Sequence, residues 1–236
     1  IAVTGIVNAE KGISVYSPHY KWKDVNLKEI LEEEFKINVF VENDVRSMAL
    51  SEKNFGKAKK SKSFIVINID NGVGSALYLN NQLYKGSSNG SGEFGHIPIE
   101  GNDKRCSCGK KGCLETLIND SALEEAYFEG TGDNKSAIEI YKDFYENPIS
   151  NKLVKDVCVA LAKGLVPIVN ILNPDFIILE GNINIIKKDV YKLIIKELEK
   201  RTFGNLSENL VIESSTFAKE SANKGIGSLT VEKIII

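Results

Sequence analysis

Long hydrophobic runs are missing from this sequence. Its longest apolar stretch, VCVALAKGLVPIVNIL, is interrupted by Lys163 and Pro167, and a membrane helix needs roughly 20 consecutive apolar residues. A secretory signal peptide is missing too, because the opening IAVTGIV predicts a buried strand that runs into a turn. The chain does not start with Met. We therefore expect no membrane span, and a fragment whose N-terminal part is absent.

A strong charge of either sign is also missing. The chain has 30 Lys and Arg against 32 Asp and Glu, a net charge of −2. This balance gives no electrostatic reason to bind nucleic acid or an anionic membrane. With 236 residues, of which 42% are hydrophobic, the chain can form one large domain or two modest lobes.

Cysteine is scarce and unevenly placed. Three of the four cysteines lie between residues 106 and 113, and Cys158 lies in an amphipathic helical pattern. Secreted disulfide frameworks use evenly paired cysteines. The pattern favours a reducing compartment and a cytoplasmic location.

Hydrophobic periodicity predicts strands that alternate with helices, which indicates α/β layers. The segment at residues 64–86 is typical of strand, glycine turn, strand, Asn-Asn hairpin and strand. Further strands are predicted at residues 38–42, 175–181 and 209–215. Helices are predicted at residues 26–37, 43–58, 136–145, 153–172, 187–202 and 219–234, and residues 57–62 are predicted to be a basic linker.

The cysteine cluster has the ligand types of a closed zinc site. His96, Cys106, Cys108 and Cys113 supply the four N and S ligands that structural zinc prefers, with no open position. Glycines in the CSCGKKGC segment allow the loop to turn back, and neighbouring cations favour the thiolate form. These cations are Lys104, Arg105, Lys110 and Lys111.

The sequence disfavours three other interpretations of the cluster. An odd number of clustered cysteines disfavours a disulfide, and clustered thiols disfavour free surface cysteines. A DNA- or RNA-reading zinc module needs stacking aromatics or a basic face, and no aromatic residue lies between His96 and Glu115.

The segments GEFGH and CSCGKKGCLE together resemble the signature of the ROK family (repressors, open reading frames and sugar kinases). The family pattern G-E-x-G-H, then C-x-C-G-x-x-G-C-x-E, is met at each position. The similarity extends through VENDVRSMALSE, DNGVG and ILNPDFIILEG. It implies an α/β, two-lobed actin/hexokinase-like ATPase (ribonuclease H-like) fold with a truncated N-terminal lobe.

The resemblance also implies a division into lobes. Residues 1–62, joined by a C-terminal helix at 220–236, would be the remnant of the N-terminal lobe. Residues 63–219 would form the second lobe, which carries the zinc-binding loop and a dimer surface, so a homodimer is expected.

The resemblance implies sugar-binding residues as well. They would be Asn43, Asp44, Glu93, His96 and Glu115, with the zinc fixing the orientation of His96 towards a sugar in the cleft. Carboxylates are strong acceptors for sugar hydroxyls. Taken alone, Asp44 could instead cap its helix, Glu93 could be a solvated turn residue, and His19 is expected to be a surface residue.

The phosphate-binding segments depart from the kinase pattern. The Gly-Gly-Thr segment of the family is missing, and the second segment reads Asp-Asn-Gly-Val-Gly, leaving Asn71, Gly72 and Gly74 as its remnant. The glycine triplet after the late strand reads Glu180-Gly181-Asn182, and NDVR replaces the NDAN of kinases. In the sugar loop, Asn89 stands at the middle glycine's position between Gly86 and Gly92.

These departures favour the regulator branch of the family. We expect the sugar-sensing part of a transcriptional repressor of sugar-utilisation genes, which binds a monosaccharide or a sugar phosphate. Operator DNA would be bound only through a helix-turn-helix domain that this chain lacks. The alternative is an ATP- and Mg-dependent sugar kinase with Asp44 as catalytic base, and a zinc protein that binds nucleic acid by itself is a weaker third interpretation.

Overall fold

Strands and helices alternate along the chain, as the periodicity predicts. The structure is a computed structural model and describes residues 1–235, so the last residue of the predicted C-terminal helix lies outside the described residues. The strands are β1 (Ala2–Val3), β2 (Ile6–Asn8), β3 (Ile13–Ser17), β4 (Trp22–Asn26), β5 (Glu42–Asn43), β6 (Phe64–Ile69), β7 (Val73–Leu79), β8 (Gln82–Tyr84), β9 (Phe176–Gly181) and β10 (Val211–Ser214). The α-helices are α1 (Leu27–Phe35), α2 (Asp44–Asn54), α3 (Glu115–Ile118), α4 (Asp120–Thr131), α5 (Ala137–Lys142), α6 (Pro148–Leu172), α7 (Lys187–Glu199) and α8 (Ser221–Ile235).

The most apolar runs of the sequence form the centre of a five-stranded sheet. Its strand order is β10-β9-β6-β7-β8, and nearly every residue of β6 and β9 is buried. β9 and β10 pair in parallel, whereas β7 and β8 form the antiparallel hairpin predicted around the Asn-Asn turn. A three-stranded antiparallel sheet joins β2, β3 and β4, and β1 pairs in parallel with β5.

Two compact units make up the chain. The first consists of Ile1–Val66, Ser75–Gly92 and the chain from Ser215 onward, and the second consists of Ile67–Gly74 and Glu93–Ser214. The predicted division placed residues 75–92 in the second lobe, whereas they belong to the first compact unit. The predicted boundaries of the two lobes therefore remain a prediction.

In the first unit, α2 and α8 pack with their backbones in close contact. A Cβ atom at Gly225 of α8 would lie 1.6 Å from the carbonyl oxygen of Ser47 in α2. The C-terminal end of α2 is fixed by the buried carboxylate of Glu52, which accepts hydrogen bonds from the N–H of Thr216 at 2.6 Å and from the hydroxyl of Ser215 at 3.0 Å. The last segment of the chain is therefore attached to α2 along its length.

In the second unit, α6 lies in the core. Asn147 caps its N-terminus by accepting the N–H groups of Ile149 and Ser150, so the helix begins earlier than the predicted residue 153. Gly164 makes room for the side chains of Phe94 and Leu114, which flank the cysteine loop. The cysteine loop is thus supported by the core helix of its own unit.

Two further sequence predictions of local structure differ from the structure. The predicted strand at residues 38–42 is wrong, because only Glu42–Asn43 pairs with another strand and the N–H of Val39 donates to the Glu32 side chain. The helix predicted at residues 43–58 ends at Asn54 and is followed by a 3-10 turn at Lys57–Lys60. Strands β3 and β4 and helix α4 were not predicted.

Candidate functional site

The cysteine loop folds back on itself through two glycines with positive φ. Gly109 has φ +88° and Gly112 has φ +84°, a backbone region that glycine adopts with little strain. The N–H of Cys106 donates to the carbonyl oxygen of Lys110 at 2.8 Å and closes the first turn. This fold returns Cys113 to the other cysteines, as the sequence predicts.

Four ligand atoms converge in this loop. The Nδ1 or Nε2 of His96 and the Sγ atoms of Cys106, Cys108 and Cys113 lie within 4.8 Å of one another. The Sγ atoms of Cys108 and Cys113 are 3.7 Å apart, and Cys106 Sγ lies 3.5 Å from His96 Nδ1. Zn–S bonds of about 2.3 Å in a regular tetrahedron place two sulfurs about 3.8 Å apart. The cluster therefore has the donor set and spacing of a closed metal site.

Burial affects the thiols of this cluster. Cys106 and Cys113 are buried and Cys108 is partly buried. Burial raises the pKa of the Cys106 thiol to about 12, so without a metal this thiol keeps its proton at neutral pH. A bound metal would displace that proton, since thiolate is the ligating form.

The two ring nitrogens of His96 face different groups. Nδ1 points to Cys106, whereas Nε2 lies 3.8 Å from Oε2 of Glu93. His96 ends a short 3-10 turn that contacts β7 closely, because a Cβ at Gly95 would lie 2.3 Å from the carbonyl oxygen of Val73. The turn therefore presents Glu93 and His96 together, with the Nδ1 edge of the imidazole directed to Cys106.

Glu115 connects the cysteine cluster to the glycine turn after β6. Its Oε1 accepts hydrogen bonds from the Cys106 thiol at 3.2 Å and the Ser107 hydroxyl at 3.3 Å. Its Oε2 accepts the N–H of Val73 at 3.3 Å, and a Cβ on Gly72 would meet that oxygen at 3.6 Å. Glu93, His96 and Glu115 are thus gathered around one cluster in the second unit.

Asn43 and Asp44 lie at the start of α2 in the first unit. Asn43 is the N-cap, since its Oδ1 accepts the N–H of Arg46 at 2.9 Å. Its Nδ2 donates to the carbonyl oxygen of Gly5 and to Oδ1 of Asp44, both at 3.0 Å. Burial raises the pKa of Asp44 from its ordinary value. Asn43 is the main cap, and Oδ1 of Asp44 also accepts the N–H of Val45 at 2.9 Å, so Asp44 contributes to the capping of α2 as well.

The remnant of the phosphate segment lies at the turn after β6. Asn71 and Gly72 are exposed there, and Gly74 is already in β7. The carbonyl oxygen of Asn71 accepts a hydrogen bond from the Asn119 side chain at 2.9 Å. The turn is thus held by the residue that caps α4.

A pair of polar side chains joins the end of β9 to the start of α4. Asn182 Nδ2 donates to Oδ2 of Asp120 at 2.7 Å. Burial, with a smaller contribution from the nearby carboxylate of Asp70, raises the pKa of Asp120 to about 6. Gly181 has φ +107°, and a Cβ there would lie 1.8 Å from the carbonyl oxygen of Ile69. The end of β9 therefore carries a hydrogen-bonded side chain, that of Asn182, directly after Gly181.

The buried ion pair of Arg46 and Glu42 was not predicted from the sequence. Arg46 and Glu42 are almost fully buried, and Arg46 Nε lies 2.7 Å from Glu42 Oε1. The available signal was the i, i+4 spacing of two opposite charges directly beside Asn43 and Asp44. Asp120, the partner of Asn182, was also missed.

The fold is that of sugar kinases and related regulators. A ROK family transcriptional regulator, described as a homologue of the E. coli MLC protein, superposes with a TM-score of 0.86 at 29% identity over 95% of this chain and 60% of that one. A ROK family glucokinase from Streptomyces griseus, solved with glucose and AMPPNP, gives 0.87 at 21% identity, covering 97% and 80%. The predicted actin/hexokinase-like α/β fold is confirmed.

The chain belongs to the ROK family, whose sequence profile matches residues 1–233. The xylose repressor of Bacillus spizizenii is 31% identical over 240 residues, which cover 100% of this chain and 61% of that protein. The transcriptional dual regulator NagC of Escherichia coli is 27% identical, covering 99% and 59%. The chain thus spans about three fifths of these relatives. None of the helices in the described part of the chain is both long and apolar enough to cross a membrane.

Proposed function

We propose that this chain is the sugar-sensing, effector-binding part of a ROK-family transcriptional repressor of sugar-utilisation genes. The observation that carries this proposal is the contrast within the second unit. Glu93, His96 and Glu115 gather around the cysteine cluster, whereas Asn182 and Asp120 are hydrogen-bonded to each other at the end of β9. The second unit thus has carboxylates and an imidazole suited to sugar hydroxyls. At the end of β9, where the backbone of a kinase would approach the nucleotide phosphates, it has the side chains of Asn182 and Asp120.

Zinc is the metal that this donor set fits best. Three sulfurs and one imidazole nitrogen without an open position are typical of structural zinc. We propose His96, Cys106, Cys108 and Cys113 as its ligands, which leaves Nε2 of His96 to hydrogen-bond a sugar hydroxyl. When bound, the metal would fix the ring orientation and tautomer of His96.

We propose Asn43, Asp44, Glu93, His96 and Glu115 as the sugar-binding residues, following the family motif that they match. The effector is a monosaccharide or a sugar phosphate. We further propose that the protein is a cytoplasmic homodimer, and that operator DNA is bound by a helix-turn-helix domain outside this chain.

Sugar binding is expected to depend on Glu93. Glu93→Gln removes a charged acceptor, and hydrogen bonds to charged groups contribute about 1.5–3 kcal/mol. Calorimetry on the full-length protein should therefore show about 10- to 100-fold weaker binding of its sugar, chosen from xylose, glucose, mannose and N-acetylglucosamine. Zinc content should not change, because Glu93 is outside the ligand set.

Glu100→Gln is the matched control, because Glu100 is an exposed carboxylate in the turn that follows. It should bind sugar like the unchanged protein. If Glu93→Gln binds as tightly as the control, Glu93 is not a sugar ligand. If the unchanged full-length protein binds no monosaccharide or sugar phosphate, the proposed function is wrong.

Phosphoryl transfer is expected to be negligible. Kinases need a phosphate cradle and a metal as well as a catalytic base, and the phosphate segments here are altered. A coupled assay of ADP release from ATP with the same sugars should show no sugar-dependent turnover. Turnover that Asp44→Asn abolishes would instead establish the sugar kinase with Asp44 as base.

A further inference from the structure

The guanidinium of Arg46 joins three separate segments of the first unit. Nε donates to Glu42 Oε1 at 2.7 Å, Nη2 donates to the carbonyl oxygen of Val7 at 2.7 Å, and Nη1 donates to that of Asn89 at 3.1 Å. The side chain is 3% exposed. Arg has five donors in a rigid planar fork, a geometry that Lys does not reproduce. A buried group with this set of partners fixes its neighbours relative to one another.

The counter-charge of Arg46 contacts the proposed sugar-binding segment directly. Glu42 is 1% exposed, and its Oε1 also accepts the N–H of Asn43 at 2.8 Å. Its Oε2 lies 3.5 Å from Nζ of Lys85, the first residue of the loop at 85–92. The Arg46–Glu42 pair thus connects the backbone of Asn43 with this loop.

Within the loop at 85–92, the Asn89 N–H donates to the Gly86 carbonyl oxygen at a long distance of 3.4 Å. Gly86, Asn89 and Gly92 have φ +71°, +61° and +93°, and glycine in particular has large conformational freedom in the absence of restraints. The ends of the loop are tied by Ser91 N–H to the Lys85 carbonyl oxygen and by a bond from β7 to the Gly92 carbonyl oxygen. Its middle is tied to α2 by Arg46 through the Asn89 carbonyl oxygen.

We propose that Arg46 is the positioning residue of this loop, which it holds in one arrangement with Asn43 before a sugar arrives. The loop leads directly into Glu93, so its position affects residues that we assign to sugar binding, and the consequence for affinity rests on the proposed function. An unrestrained loop would populate the binding-competent arrangement only part of the time, and apparent affinity falls by that fraction. Arg46 touches no sugar itself in this role.

The test is Arg46→Lys in the full-length protein, which keeps the charge opposite Glu42 and loses the fork. Hydrogen exchange in the sugar-free protein should become at least about 10-fold faster in residues 85–92, while strands β3 and β4 exchange as before. Sugar affinity should fall about 10-fold with unchanged zinc content, and saturating sugar should restore the loop's protection. Arg201→Lys is the control, since Arg201 bonds Glu197 in the second unit, and it should change neither readout.

Unchanged exchange in residues 85–92, even with a lower melting temperature, would mean that Arg46 is only structural and would overturn the proposal. Faster exchange that is spread evenly over the first unit would overturn it as well. The exchange measurement needs no sugar. It therefore decides the role of Arg46 even if the unchanged protein binds no sugar, a result that would count against the proposed function alone.

Discussion

Cys108→Ser is expected to lower the zinc content of the full-length protein from about one per chain to near zero and to weaken sugar binding about 10- to 100-fold. Cys108 Sγ lies 3.7 Å from Cys113 Sγ, and serine does not supply the thiolate that completes the site. The loss of affinity follows from His96. Without a metal on Nδ1, the imidazole ring is no longer held with Nε2 directed to the sugar. Changes around organised metal sites often cost 10- to 100-fold.

Elemental analysis of protein purified without added metal measures the first effect, and calorimetry with the sugar measures the second. Far-UV circular dichroism should be nearly unchanged, because the cysteine loop lies outside the main strands and helices. Cys158→Ala is the matched control, since Cys158 is a buried thiol of α6 outside the cluster, and it should keep both zinc and sugar binding. A Cys108→Ser protein that lacks zinc but binds sugar normally would mean that the metal only holds the loop together.

Gly225→Ala is expected to destabilise the protein by about 3 kcal/mol, the upper part of the range for overpacked sites. The added methyl group would lie 1.6 Å from the Ser47 carbonyl oxygen and 2.4 Å from its carbonyl carbon. These are backbone atoms of α2, so the two helices must separate. The melting temperature should fall by roughly 6–12 °C, at about 2–4 °C per kcal/mol for a chain of this size.

Gly227→Ala is the matched control within the same helix. A Cβ at Gly227 meets nothing within 4 Å, and alanine is a better helix former than glycine by up to about 1 kcal/mol. This substitution should leave the melting temperature unchanged or raise it. Equal stability of the two variants in thermal unfolding would contradict the close packing of α8 on α2.

The sequence predicted those elements whose burial is complete. β6 and β9 are nearly continuous apolar runs, and such runs form central strands wherever they are bounded by turns. The segment at residues 38–42 has a similar pattern, but Val41 is buried in a cluster with Val3, Val7 and Leu27 without strand pairing. β3 and β4 mix apolar with polar residues, as ISVYS and WKDVN, and their hairpin depends on pairing with each other and with β2. Apolar pattern predicts burial better than it predicts pairing.

The candidate site was predictable where its residues are close in sequence. His96 and the three cysteines lie within one segment, so ligand type and spacing predicted their convergence. Arg46 was not predictable in the same way, because two of its acceptors, Val7 and Asn89, are 39 and 43 residues away. The pairing of Asn182 with Asp120 spans 62 residues. Such contacts are set by the packing of whole elements, and no local pattern encodes them.

The three-part composition of the first unit has a consequence for how the protein is made. On the ribosome, Glu52 emerges long before Ser215 and Thr216, whose donors its buried carboxylate accepts, and α2 emerges long before α8. At about 5–20 residues per second, the delay is on the order of ten seconds. When Ser215 emerges, every residue of the second unit has been translated, whereas α2 still exposes the face that α8 will cover. Residues 215–235 therefore complete a unit whose α2 is synthesised well before them, and Glu52 acquires the donors of Ser215 and Thr216 only after the second unit has been translated.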